Sequence, residues 1–235
     1  MVFYVDSQKS SSAEEIAFLL NKCILQYPGR WSELVFLCIG SDRVTGDCLG
    51  PYIGHQLLEH LNTDTHGVYV YGTLKSPVHA LNLSRISRQI KILHPEGLVI
   101  AVDASLGQKK HLGYVTIADG ALYPGAAVQK ELPPVGDIHI TGIVNIAGVL
   151  EQLTLPDYPP VYGNLSGRYH HTGNRKLYKF FDLFVDAFCI KTIFLKKSCG
   201  RTGFSEYIIY TDTFYRYRCF LRQAFAYCSA KSADY

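Results

Sequence analysis

The chain has 235 residues, of which 48% are hydrophobic and 18% charged, and its formal net charge is +3. This composition is that of a folded domain with a sizeable core, not of a disordered chain. The small charge gives no reason to expect a nucleic-acid partner, and the lack of an apolar run of about 18 residues gives none to expect a membrane partner. The first residues lack the basic and apolar regions of a signal peptide, so we expect a cytoplasmic protein.

The first 150 residues alternate between helical and strand patterns. Ser11 and Ser12, each followed three residues later by a glutamate, predict a helix near 13–26. Strands that alternate with helices predict an α/β fold with a mostly parallel sheet and helices on both faces. The further predicted elements are a buried strand in LVFLCIG, a helix from Pro51, a strand at 68–72, a helix near 78–93, a buried strand at 97–104, an exposed or edge strand at 114–119 and a helix at 140–153.

Two aspartates follow predicted strands. Asp47 lies in the loop CIGSDRVTGDCLGP, which follows the strand LVFLCIG, and Asp103 comes at the end of the strand GLVIAVDA. Ligands of open parallel sheets bind beyond the carboxyl ends of the strands, so we expect both carboxylates at one rim. Such a pair can share a proton, with one group as base and the other as acid, or it can hold a divalent metal. Glycines at 40, 46 and 50 let this loop turn sharply and let a substrate approach closely.

Other interpretations of the loop stay open on local sequence. Asp42 is more often a turn residue than a catalytic group, and Asp47 suits a helix cap as well as it suits catalysis. The loop lacks the GK[ST] of a phosphate-binding loop and the G-x-G-x-x-G of a dinucleotide site, so it indicates a phosphate site only weakly. The seven cysteines include no CxxC pair, so neither a zinc cluster nor a disulfide framework is predicted.

Four segments resemble, in order and spacing, the sporulation protein YyaC family. They are IGSDRVTGDCLGPYIG, GTLKSPVHALNL, VIAVDASLG and YPGAAVQKELPPVGDIHITGIVNIAG, and together they cover roughly residues 30–150. That family is related to the spore germination protease and, more distantly, to the hydrogenase maturation endopeptidases. The resemblance implies a three-layer α/β/α fold of the phosphorylase/hydrolase-like kind and a role in sporulation or germination.

The resemblance also implies roles for single residues. In the germination protease the two aspartates thought to do the chemistry sit in segments like GDCLGP and VIAVDA, which correspond here to Asp47 and Asp103. No cofactor is expected on this basis. The hydrogenase maturation enzymes instead use two acidic residues and a histidine to hold nickel, so a divalent metal such as nickel or zinc is the alternative. His139 is a weak candidate for that histidine, and a strand or surface role is favoured for it. The residues expected to bind substrate are Asp42, Gly46, Gly50, Asp137 and His139.

The C-terminal part differs from the rest in composition. Residues 1–150 carry 11 basic and 13 acidic residues, whereas residues 151–235 carry 12 and 7 and most of the aromatic side chains. The resemblance ends after Glu151, where the sequence suggests a change of reading frame. We therefore expect a single α/β domain over 1–195 and an aromatic, basic tail over 196–235. Its apolar residues lack a periodic pattern, which predicts poor packing.

Two functional hypotheses follow from these residues. In the first, the protein is an endopeptidase of the sporulation line that acts on a peptide or a small spore protein through its aspartate pair. In the second, a non-catalytic relative binds a peptide or another sporulation protein at the same rim. The retained aspartates and glycines favour the enzyme, and the lack of an assured third catalytic group favours the binder. A third possibility is that the altered C-terminus leaves a family member that no longer folds or works properly.

Overall fold

The computed structural model describes residues 1–41, 45–61, 67–125, 132–146, 193–198 and 205–210. The chain divides into two compact units, Met1–Phe188 and Cys189–Tyr235. No helix among the described residues is long and apolar enough to cross a membrane. The first unit contains β1 (Val2–Asp6), α1 (Ser12–Gln26), β2 (Glu33–Cys38), α2 (Leu49–His60), β3 (Val68–Tyr71), α3 (Leu83–Leu93), β4 (Gly97–Gly107), β5 (Tyr114–Asp119) and β6 (Ile138–Ile146).

The first unit is built on a mixed six-stranded sheet with the order β1-β5-β6-β4-β2-β3. Strands β6, β4, β2 and β3 run parallel to one another, while β5 pairs antiparallel with both β6 and β1. This confirms the predicted α/β class. The second unit contains β7 (Ile193–Ser198) and β8 (Ser205–Tyr210), which pair antiparallel.

Alternate residues of the central strands enter different packing environments, because successive side chains of a strand point to opposite faces. Val35 and Leu37 of β2 are buried in one apolar cluster with Leu83 and Ile90 of α3. Helix α2 packs against β2 through Gly54, whose backbone lies close to the side chain of Cys38. The core therefore forms where helices cover the central strands, and the ends of those strands are left to build sites.

The end of α3 is fixed to the sheet by an ionisable side chain. His94, the residue directly after α3, is buried, and its Nδ1–H donates to the Glu33 carboxylate at 2.8 Å. Its Nε2 lies 2.9 Å from the Tyr71 hydroxyl, so one imidazole joins α3, β2 and β3. These hydrogen bonds satisfy both ring nitrogens in a place where burial would otherwise be costly.

The prediction that residues 114–119 form an exposed or edge strand is wrong. β5 lies between β1 and β6, and four of its six residues are buried. The edge position on this side of the sheet belongs to β1, a strand that the sequence patterns did not reveal. A strand flanked on both sides loses its solvent-facing edge, and its sequence alternation then no longer reports exposure.

The predicted helix at 140–153 is wrong over its first half. Residues up to 146 form β6, which pairs with β4 on one side and β5 on the other, and residues 147–153 lie outside the described part of the chain. Short apolar runs do not distinguish strand from helix by periodicity, and here the β-branched residues of IHITGIVNI favour the strand. Helix α3 also begins later than predicted, because Val78 pairs with Ile39 as an isolated bridge.

Candidate functional site

The loop after β2 folds back on itself to place Asp47. Gly40 has φ +145°, a conformation that favours glycine, and a Cβ at this position would overlap the carbonyl oxygen of Asp47. The backbone N–H of Ser41 donates to that same carbonyl at 3.1 Å. Asp47 itself belongs to a short 3₁₀ turn, Thr45–Cys48, that leads directly into α2. The loop thus returns Asp47 to the carboxyl end of β2.

Helix α2 is seated on the same strand end through two close backbone approaches, and a third joins the ends of β2 and β3. A Cβ at Gly50 would overlap the carbonyl oxygen of Ile39, and one at Gly54 would overlap that of Gly72. Gly72 has φ +89° and comes equally close to the carbonyl oxygen of Cys38. Because only glycine permits these approaches, the start of α2 is held in a fixed position beside Asp47.

Asp103 lies within β4, on the strand next to β2. It is 8% exposed, and the backbone N–H of Ala104 donates to its Oδ1 at 2.8 Å. Burial is the main cause that raises the pKa of Asp103 well above its usual range, and the nearby charge of Asp47 raises it further, against a smaller opposing effect of the Ala104 N–H. The structure therefore brings Asp47 and Asp103 close enough for their charges to interact.

The two carboxyl groups differ in environment, and this gives them different chemistry. Asp47 is half-buried, whereas Asp103 is almost fully enclosed. Two carboxyl groups that repel each other do not both ionise readily, so the more buried one keeps its proton to higher pH. An arrangement of this kind holds a proton donor next to a proton acceptor.

The other predicted site residues are not all at this rim. Asp42 lies outside the described residues, and Gly46 belongs to the 3₁₀ turn next to Asp47. Gly50 lies against the backbone of Ile39, where it lets α2 pack closely on the strand end. Asp137 and His139 lie toward the amino end of β6, away from Asp103.

Asp137 acts as a clasp at this amino end of the sheet. Its Oδ2 accepts from the backbone N–H of Val99 at 2.9 Å, and its Oδ1 accepts from the Tyr27 hydroxyl at 3.3 Å. Val99 precedes Asp103 by four residues, a separation of roughly 13 Å along a strand. The ring of His139 is bonded through Nδ1 to the carbonyl oxygen of Gly120 at 2.8 Å. The structure therefore does not bring Asp137 to the aspartate pair, and it gives His139 a backbone partner.

A polar group beside Asp103 has no counterpart among the residues predicted from sequence. Thr141 of β6 is the register partner of Asp103, and Thr116 of β5 is the register partner of Thr141. The two threonine Oγ1 atoms are 2.6 Å apart, and the Ser105 hydroxyl donates to Thr141 at 3.1 Å. Assignment of residues 140–146 to a helix hides this register, since it removes β6 from the sheet.

The described residues do not complete a metal-binding set. Among them, no three His, Cys, Asp or Glu side chains are grouped so that they could hold a metal ion. Two carboxylates are suitable donors for a divalent cation, but the nickel set implied by the hydrogenase maturation enzymes also needs a histidine. In His139, the candidate for that histidine, Nδ1 is hydrogen-bonded to the carbonyl oxygen of Gly120.

Comparisons with known proteins agree with the resemblance seen in the sequence. The family described as "Protein of unknown function (DUF1256)" matches residues 4–158. The "Uncharacterized protein YyaC" of Bacillus subtilis (strain 168) is 45% identical over 152 residues, which is 65% of this chain and 72% of that protein. The predicted resemblance to YyaC is thereby confirmed, and the family match reaches further toward the N-terminus than the 30–150 segment that carries the four motifs.

Proposed function

The chain belongs to the family described as a protein of unknown function, DUF1256, and from that premise we propose that it is a sporulation-associated endopeptidase that uses Asp47 and Asp103. The observation that carries this proposal is the burial of Asp103 close to Asp47 at the carboxyl end of the sheet, an arrangement that raises the pKa of Asp103. Perturbed carboxyl pairs of this kind are typical of acid–base sites.

The roles of the two groups follow from their surroundings. Asp47 is half-buried and serves as the base: its carboxylate takes a proton from water as the water oxygen attacks the scissile carbonyl. Asp103 is enclosed and serves as the acid: it donates its proton to the amide nitrogen as the C–N bond breaks. The proton that Asp47 gained then passes to Asp103. This restores the ionised Asp47 and the protonated Asp103, so the cycle balances without a further reactant.

The proposal also covers the arrangement of the layers, the substrate and the cellular compartment. Packing of α3 against Val35 and Leu37, and of α2 against Cys38, supports helices on both faces of the sheet and a three-layer α/β/α arrangement. A peptide or a small spore protein is the proposed substrate, in the cytoplasm of the sporulating cell, in line with the relation to the spore germination protease. No step of the mechanism uses a metal or another cofactor.

The first test replaces each carboxyl group by an amide of the same shape. We expect Asp47→Asn and Asp103→Asn each to lower cleavage of a quenched fluorogenic peptide library by at least about a hundredfold, since acid–base groups contribute factors of roughly 10²–10⁴. Asp6→Asn on the edge strand β1 is the matched control and should cleave as the wild type does. Circular dichroism shows whether each variant keeps its fold.

Three outcomes would change the assignment. Full activity in either site variant removes that aspartate from the mechanism. Loss of wild-type activity with a chelator, restored by nickel or zinc, replaces the acid–base pair with a metal site. Peptide binding without cleavage, weakened in both variants, assigns the rim to a binding protein instead of an enzyme.

A further inference from the structure

Three hydroxyl groups cluster beside Asp103, one each on β4, β6 and β5. We call Ser105, Thr116 and Thr141 the hydroxyl cluster. Thr116 and Thr141 are 8% and 7% exposed. Register partners in a sheet point to the same face, so Thr141 presents its side chain beside that of Asp103. The cluster therefore borders the site from the β6 side, while Asp47 borders it from the β2 side.

The position of the cluster is unusual for a sheet core. A buried hydroxyl is costly unless it is hydrogen-bonded, and valine would fill the position of either threonine without that cost. The pairing of β4 with β6 also shifts register between Ser105 and Leu106, two residues past Asp103. Irregularities of this kind are common next to active sites, where they re-aim a side chain. Polar burial and the register shift thus occur at the same strand end as the aspartate pair.

The hydroxyl of Thr141 has two neighbours that can donate hydrogen bonds to it. The one proton of Ser105 has two acceptors within reach, Thr141 Oγ1 at 3.1 Å and the Gly142 carbonyl oxygen at 3.4 Å, and Thr141 is the nearer. The 2.6 Å bond between Thr116 and Thr141 allows Thr116 to be the donor. A hydroxyl has one proton to donate and two lone pairs to accept with. With both neighbours donating, the lone pairs of Thr141 are used and its own proton is left to donate to another group.

We infer that Thr141 is a substrate-orienting residue of this site, whose hydroxyl donates to the carbonyl oxygen of a peptide group held beside Asp103. Thr116 and Ser105 are positioning residues, because they act by directing the Thr141 proton. The inference rests on the proposed peptidase function and adds the group that holds the scissile amide. It places the Thr141 hydroxyl on the β6 side of Asp103 and the Asp47 carboxyl group on the β2 side.

The test uses variants that separate the hydroxyl from the shape of the side chain. Thr141→Val keeps the volume and removes the hydroxyl, and we expect about a tenfold loss of kcat/KM on the fluorogenic peptide library, as for one lost hydrogen bond. Thr141→Ser keeps the hydroxyl and should stay within about twofold of the wild type. Thr116→Val should lose less than Thr141→Val, because its effect passes through Thr141. Ser84→Ala, an exposed hydroxyl on α3, is the control without effect.

The outcomes distinguish this inference from the proposed function. If the wild type cleaves peptides and Thr141→Val cleaves equally well, the inference is overturned while the peptidase assignment stands. Equal losses in Thr141→Val and Thr141→Ser would show that packing matters and the hydroxyl does not, which also overturns it. An inactive wild type overturns both. If Thr141→Val fails to fold, the two other variants decide the question. A loss of kcat/KM in Thr116→Val with Thr141→Ser near the wild type supports the inference, and wild-type kcat/KM in Thr116→Val overturns it.

Discussion

At the scale of single residues, the site depends on how the carboxyl group of Asp103 is held. The strand places it in the interior, where an ionised carboxylate is poorly solvated, and the charge of Asp47 adds to this effect. The Ala104 N–H offsets part of it by donating to Oδ1. Asp103 therefore lowers the stability of the fold when it ionises.

The sign of the resulting pH dependence is fixed by the direction in which the pKa of Asp103 moves on folding. Between the unfolded pKa of about 3.9 and the higher folded pKa, the native state binds more protons than the unfolded state, so stability falls as pH rises. In Asp103→Asn this loss is absent. We expect the free energy of unfolding of Asp103→Asn, relative to the wild type, to increase by about 1.4 kcal/mol per pH unit from pH 4 upward and to level off above the folded pKa.

Urea denaturation at a series of pH values measures this difference. Asp47→Asn provides an internal comparison, because it removes one of the two causes of the raised pKa of Asp103. The free energy of unfolding of Asp47→Asn should therefore fall less with rising pH than that of the wild type. A difference between Asp103→Asn and the wild type that stays constant from pH 4 to pH 8 would show that Asp103 has no raised pKa.

Sequence reasoning identifies both aspartates but not their neighbours. Asp47 and Asp103 follow apolar runs that end at the carboxyl rim of the sheet, and strand direction alone brings such residues together. Thr141 carries no comparable signal, since its place beside Asp103 depends on the register of β4 with β6. For Asp137 and His139 the motif predicts substrate binding, but it does not tell which end of β6 they occupy.

At the scale of elements, the seat of α2 on the sheet depends on glycine. Gly54 and Gly72 bring the helix backbone and the strand end so close that neither position has room for a methyl group. The sequence shows these glycines, but only the helix–strand distance shows why they are needed. Elements with long apolar patterns, such as α1 and β4, are predictable from sequence, because burial of one face or of a whole strand leaves a periodic signal.

Substitution of Gly72 tests this seat. Gly72→Ala combines an unfavourable positive φ with overlap of the Cys38 carbonyl oxygen, so we expect a loss of about 3 kcal/mol or more in the free energy of unfolding. Gly120→Ala is the matched control: Gly120 has φ +93° but nothing within 4 Å of an added Cβ, and should lose only about 1–2 kcal/mol. Urea denaturation of both variants gives the comparison, and equal losses would rule out overlap as the cause.

At the scale of the whole molecule, the family match and the division into units end at different places. The match ends at residue 158, whereas the first compact unit extends to Phe188. The predicted domain boundary at 195 stays a prediction, and most of the residues from 196 onward, where poor packing is expected, lie outside the described part of the chain. Within the second unit the described part is the two-stranded antiparallel sheet of β7 and β8.

Limited proteolysis tests the tail prediction. We expect early cleavage within residues 152–235 and a resistant N-terminal fragment, because an aperiodic segment buries too little apolar area to offset roughly 1–2 kcal/mol of backbone entropy per residue. Mass spectrometry of the fragments locates the cuts. Resistance of the entire chain at high protease concentration would show instead that the tail is packed, and would remove the main support for a change of reading frame.

The Asp137 clasp has a consequence for how this fold can evolve. It ties α1 to the starts of β4 and β6, and the His94 bonds tie α3 to β2 and β3. Roughly 13 Å of strand separates the clasp from Asp103. Gene copies can therefore accumulate changes at the aspartate rim while their scaffold stays anchored elsewhere. Divergence of chemistry without loss of the fold is the expected history of such a lineage, and a catalytic member and a silent one would share the same anchors.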